Sequence, residues 1–149
     1  MHKVFDQQGA TNVIWTWTPN VINYLRSRKL KAYYPGDTFV DWVGVDGYYT
    51  RRGQQTFRDL FGPTVREVRT FTKLPMLVVE TGSESGSGRP AHIENLLSNV
   101  ATSKDFVGVA YFNINGSGDW NIDKDAATLR AFANQAKNNV YGFDVRKVR

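Results

Sequence analysis

Leu74-Pro75-Met76-Leu77-Val78-Val79-Glu80-Thr81-Gly82-Ser83 is a short aliphatic run that stops on a carboxylate and then turns. A parallel strand covered on both faces reads as an unbroken aliphatic run. Where strands and helices alternate around a barrel, the carboxyl ends of the strands carry the chemistry. Glu80 stands where burial alone would ask for another valine, and no other residue in the chain places a catalytic type so sharply.

Outward from this run, apolar segments and helical patterns alternate. Residues 13–17 (Val-Ile-Trp-Thr-Trp) read as a strand stopped by Pro19-Asn20. Residues 39–45 read as a second strand, ending in Asp46-Gly47-Tyr48-Tyr49. Residues 76–80 form the third, and residues 106–112 the fourth, followed by a turn rich in Gly and Asn. Helical spacing fills the gaps at 21–28, at 54–71 with a break at Pro63, at 91–101, and at 124–137 behind a cap at Asp123. Residues 2–8 read as a helix stub stopped by Gly9. Alternation of this kind implies an α/β fold with a parallel sheet and right-handed crossovers. The expectation is one domain over residues 1–149: a helix stub, then four βα units. The loop from Thr81 to Pro90, rich in Gly and Ser, is expected to be the most mobile.

The bulk composition narrows the function classes. The 149 residues suit a single domain. The net charge of +5 is spread over small groups such as Arg51-Arg52, without a basic element or module for nucleic acid. There is no cysteine, so disulfides and thiolate metal sites are excluded. The two histidines, His2 and His92, read as surface residues rather than ligands, and neither metal nor cofactor is expected. No apolar stretch approaches about 18 residues, so no membrane span is expected. The first residues carry no apolar signal region. Four Trp, seven Tyr and nine Phe supply rings either for a core or for stacking on sugars.

Six strings occur in order: residues 12–20, Tyr33-Tyr34-Pro35-Gly36-Asp37, residues 40–48, Val79-Glu80-Thr81-Gly82-Ser83, Ala110-Tyr111-Phe112-Asn113 and Asp119-Trp120. Together they resemble glycoside hydrolase family 26, the β-mannanase-like (β/α)8 TIM barrels, and match the later half of that barrel, its fifth to eighth strands. The resemblance implies that Glu80 occupies the place of the nucleophile. It implies that a tyrosine after the sixth strand, Tyr48 or Tyr49, holds that carboxylate by a hydrogen bond; Tyr48 is taken for this role and Tyr49 for the cleft. Trp17 and Asn20 would line the sugar cleft, with Asp46 and, in the region of the last strand, Phe112 and Trp120. Family members are usually secreted, so an extracellular location is what the resemblance suggests.

The same resemblance puts the family's general acid/base, a glutamate beside a histidine, on a fourth strand that has no match here. Retaining hydrolysis needs two carboxyls about 5–5.5 Å apart. Asp46 is the better local candidate for a second carboxyl, with a role in ordering its loop as the alternative; Glu84 lies in the same loop as Glu80 with nothing to fix it. Four strands with helices on one side leave a bare face and two open edges. The expectation is therefore a half-barrel completed to eight strands by homodimerisation, acting on a β-linked polysaccharide. The alternative is a non-catalytic scaffold that pairs in the same way and binds sugar weakly at most.

Overall fold

The computed structural model describes residues 1–22, 29–115 and 119–142. The expected helix at 21–28 falls almost wholly outside these residues. Four strands, β1 (Thr16–Trp17), β2 (Trp42–Tyr49), β3 (Met76–Ser83) and β4 (Phe106–Tyr111), form one sheet in sequential order, and every pairing is parallel. The helices are α1 (His2–Gln7), α2 (Phe57–Leu60), α3 (Gly62–Val68), α4 (Arg89–Thr102) and α5 (Ala126–Ala136), with a 3-10 turn at Leu30–Tyr33. The chain is thus an α/β protein with crossover helices.

Local chemistry explains most of the boundaries. Gly9, at φ +69, takes the left-handed conformation that stops α1. Pro63 divides the expected long helix into α2 and α3, where it occupies the first turn and the missing N–H costs nothing. Thr56 caps α2 by accepting from the Asp59 amide. Asp125, not Asp123, caps α5: its carboxylate accepts from the Ala127 amide at 2.9 Å. β1 is shorter than expected because residues 13–15 precede the ladder. There the Trp15 amide is held by the Asp41 carboxylate at 2.7 Å instead.

β2 and β3 differ from expectation in a way that matters for the site. Both continue three residues beyond their carboxylates, so Asp46 and Glu80 lie within strands rather than at their ends. The continuation follows from backbone accounting, because each strand still finds partners. The Asp46 amide donates to Pro19 O and its carbonyl accepts from the Val21 amide, while the Glu84 amide donates to Tyr49 O.

Burial separates the two faces of the sheet. Val43, Val45 and Tyr49 of β2, Met76 and Val78 of β3, and Phe106 of β4 pack with Phe57, Leu60, Phe61, Val68, Leu96 and Val100 from the helices. The opposite face carries Gly44, Asp46 and Tyr48 of β2 with Leu77 and Val79 of β3. Among the described residues, α2 and α4 cover the first face only, and Leu77 and Val79 stay half-buried. No described helix is long and apolar enough to cross a membrane.

Met76 is fully buried and Leu129 is 45% exposed. Met76→Ala is expected to cost about 2–5 kcal/mol in urea unfolding, through lost contacts and a cavity. Leu129→Ala should stay within about 0.5 kcal/mol. Equal losses at the two positions would contradict this assignment of the core.

Candidate functional site

The site grows from one irregularity in the ladder. Val45 pairs with Val78, yet the next residue, Asp46, pairs with Glu80, so Val79 is an extra residue in β3. The β4 side shows the same insertion: Val78 pairs with Val109, and Thr81 with Tyr111. In a regular strand successive side chains alternate between faces. A bulge breaks that alternation and re-aims the side chains after it. Here Val79 and Glu80 both reach the face opposite the helices. A Cβ on Gly44 would lie 2.7 Å from Val79 Cγ1, and the Tyr48 hydroxyl donates to Glu80 Oε1. Gly44 and Tyr48 are four residues apart on β2 and share one face. Without the bulge, Glu80 would point into the helix-covered core.

Aromatic rings surround the Tyr48–Glu80 pair. The Tyr48 ring lies 4.9 Å from Trp120 and 6.1 Å, edge-on, from Phe112. Gly82 makes this possible: a Cβ there would sit 3.0 Å from Trp120 Cε3 and 3.1 Å from the Tyr48 ring. Phe112 is 37% exposed and Trp120 half-buried, so ring surface is left facing solvent. Burial, together with the Glu80 carboxylate, pushes the Tyr48 hydroxyl well above the ordinary phenol range. Tyr48 therefore remains a donor throughout the neutral range.

Asp46 stands in register with Glu80 on the neighbouring strand. Burial raises its pKa, and the Glu80 charge raises it further. Its Oδ1 is buried and has no hydrogen-bond partner among the described residues. Asp46 is thus the acid on this face that holds its proton more tightly than usual.

The other expected residues are more scattered. Asn20 bridges to Asp46 beyond the end of β1, and it lines a cleft of about 310 Å3 with Trp17, Ile22, Leu30 and Tyr33. The Trp17 ring itself packs on Tyr34 and Phe71, on the helix side, in register with buried Val43. Tyr49 is 1% exposed, stacked 4.9 Å from the His92 ring with its hydroxyl unpartnered among the described residues, and faces away from Glu80. Alternation along β2 forces this: once Tyr48 faces Glu80, Tyr49 must face the helices. Glu84 is held by the Arg51 amide at 2.8 Å, so its loop is tied to the turn after β2.

His92 corrects the surface expectation. It is 7% exposed and lies 2.8 Å from both the Ser83 hydroxyl and Gln55 Oε1. Burial lowers its pKa, favouring the neutral ring. Its neighbours Ile93, Leu96 and Leu97 placed a helix here, but a lone histidine in that pattern carries no mark of its buried partners. His2 pairs with Asp6 at 2.8 Å and packs on Trp15 and Phe39. Arg89, also unforeseen, is 2% exposed; its guanidinium donates to Asp119 O and Asn121 O on either side of Trp120.

Comparison with known proteins supplies relatives for this arrangement. The sequence profile of Glycosyl hydrolase family 26 matches residues 1–82, which include Tyr48 and Glu80. Endoglucanase H of Acetivibrio thermocellus is 28% identical over 137 residues, covering 87% of this chain and 15% of that protein. A mannan endo-1,4-beta-mannosidase of Bacillus subtilis is 27% identical over 88 residues, covering 58% of this chain and 21% of that protein. The chain therefore spans a small part of the length of these relatives.

The folded pKa of Asp46 is raised, so its contribution to stability is complete below its ordinary value and is lost as pH rises through the folded value. Asp46→Asn removes the charged form. It is expected to raise the melting temperature at pH 7, with the gain vanishing as pH falls toward 3. A loss at pH 7 would show that Asp46 is held as a stabilised carboxylate, and a gain that persists at pH 3 would show that the effect does not come from its charge.

Proposed function

The chain belongs to glycosyl hydrolase family 26, and on that premise we propose that it carries the nucleophile wall of a site that cleaves β-linked polysaccharide. The observation that bears the reading is the Tyr48 hydroxyl donating to the Glu80 carboxylate, on the sheet face that no described helix covers. Glu80 attacks the anomeric carbon as the glycosidic C–O bond breaks, the leaving oxygen takes a proton from the general acid, and water then cleaves the glycosyl–Glu80 ester. Tyr48 holds Glu80 Oε1 and so fixes the carboxylate, leaving the other oxygen to attack. Trp120 and Phe112 offer ring faces on which a pyranose can stack. The names of the two relatives suggest β-glucan or β-mannan as the substrate class.

Two carboxyls with opposed roles are required for such a reaction. Asp46 stands in register with Glu80, and burial together with the Glu80 charge inclines it to keep a proton. The family resemblance puts the general acid on a further strand, before the one that β1 resembles. We place it on a second group of strands that closes over Leu77, Val79 and the site. If these 149 residues act alone, that group is a second copy, its β1 pairing in parallel with β4 of the first. Such closure removes both open edges and buries the bare face.

Two measurements test this reading. Hydrolysis of mannan and of mixed-linkage β-glucan should fall at least about a hundredfold in Glu80→Gln, because the attacking oxygen is lost. Equal rates for the two proteins would instead favour a scaffold without turnover. Sedimentation at micromolar concentration should show a dimer, and Leu77→Lys should yield a folded monomer. A wild-type protein that sediments as a monomer would remove self-closure, leaving the roles of Tyr48 and Glu80 to the hydrolysis assay.

A further inference from the structure

We propose that Arg89 is the positioning residue for Trp120: it fixes the indole against Tyr48 and so shapes the aromatic wall beside Glu80. The inference goes beyond the proposed function and rests on it only in taking that wall as the sugar-facing one.

The geometry around Arg89 is specific. It opens α4 and is 2% exposed, although it is a cation. Buried cations are almost always paired with a carboxylate, since leaving water is costly. Arg89 makes no salt bridge among the described residues. Its two terminal nitrogens go to main-chain carbonyls, Nη1 to Asn121 and Nη2 to Asp119, and its Nε is buried with no partner among the described residues. The guanidinium fork thus spans one residue, Trp120, gripping the chain on both sides of it. Only a rigid planar fork can do this with a single side chain.

The gripped segment is not relaxed by itself. Asp119 has φ +44, a left-handed conformation unfavourable to a residue with a side chain. Such a backbone persists where its surroundings dictate it, and the Arg89 bond to Asp119 O is one such constraint. On the other flank, the Ile122 amide donates to Asn113 Oδ1 at 2.8 Å. Between the two anchors the Trp120 amide donates to Ile114 O at 3.3 Å. The indole then lies 4.9 Å from the Tyr48 ring, over Gly82, where a Cβ would come within 3.0 Å of Trp120 Cε3. Arg89 and Gly82 therefore act on one ring from two sides: one sets the backbone, the other clears the floor.

Fluorine NMR of protein labelled with 5-fluorotryptophan tests this, with Trp120→Phe assigning the line. In Arg89→Met, the Trp120 line is expected to move to the position of a solvent-exposed indole and to broaden. Trp15, Trp17 and Trp42 should keep their shifts, which shows that the fold is intact. Arg89→Lys should restore the line only in part, because an ammonium cannot span both carbonyls. An unmoved Trp120 line in folded Arg89→Met would overturn the proposal. Should that variant not fold, the wild-type guanidinium decides: slowly exchanging Nη protons correlated with the carbonyl carbons of Asp119 and Asn121 support the grip, and rapidly exchanging, averaged protons overturn it. Titration with β-1,4-linked mannotetraose tests the other premise separately. Movement of the Trp120 line supports a sugar-facing wall, and a saturating titration with no movement counts against that reading while leaving the role of Arg89 intact.

Discussion

The site depends on one extra residue in a strand. A regular β3 would carry Glu80 to the side packed by α4, among Leu96 and Val100. There a carboxylate would face apolar groups and would have to be neutralised or leave. Insertion of Val79 turns Glu80 to the other face, where the Tyr48 hydroxyl meets it. Gly44 accepts the displaced Val79, since a side chain at that position would collide with it. Gly82 accepts the two rings that close around Tyr48. The glycines, the bulge and the pair are one arrangement, and each part is needed for the others.

The second constraint is the division of the sheet into a covered and an uncovered face. Helices α2 and α4 bury Val43, Val45, Met76 and Val78, which supplies the hydrophobic stabilisation of the fold. The other face holds the candidate site and a thin apolar strip, Leu77 and Val79, and no described strand lies beyond β1 or β4. The hydrophobic core and the Tyr48–Glu80 pair thus occupy opposite faces of the same strands. This explains why Tyr48 and Tyr49, adjacent in sequence, have unrelated surroundings: one hydrogen-bonds Glu80, the other stacks on His92.

Much of this was legible in the sequence. The aliphatic run before Glu80, the βα alternation and the break at Pro63 all follow from patterns with local physical causes. The family emerged from strings that lie in order along the chain, and the profile match over residues 1–82 agrees with it. The features that escaped were those set by tertiary contact. The strands run on past Asp46 and Glu80 because neighbouring backbone offers partners, which no local pattern announces. The bulge was hidden because Val79 fits an aliphatic run equally well as a paired or an extra residue. His92 and Arg89 looked like ordinary polar residues of a helix and its approach. Their burial depends on Ser83, Gln55, Asp119 and Asn121, distant in sequence or separated from them by a turn. The Thr-Gly-Ser after Glu80 held one overlooked sign: a glycine inside a strand often marks a close approach, and Gly82 does so here.

The register of β2 against β3 tests the central claim most directly, through cross-strand backbone NOEs in the folded protein. Contacts joining Val45 to Val78 and then Asp46 to Glu80, with Val79 lacking a partner of its own, are the expected result. A regular ladder in which Val79 stands opposite Asp46 would turn Glu80 toward the helices and contradict the account.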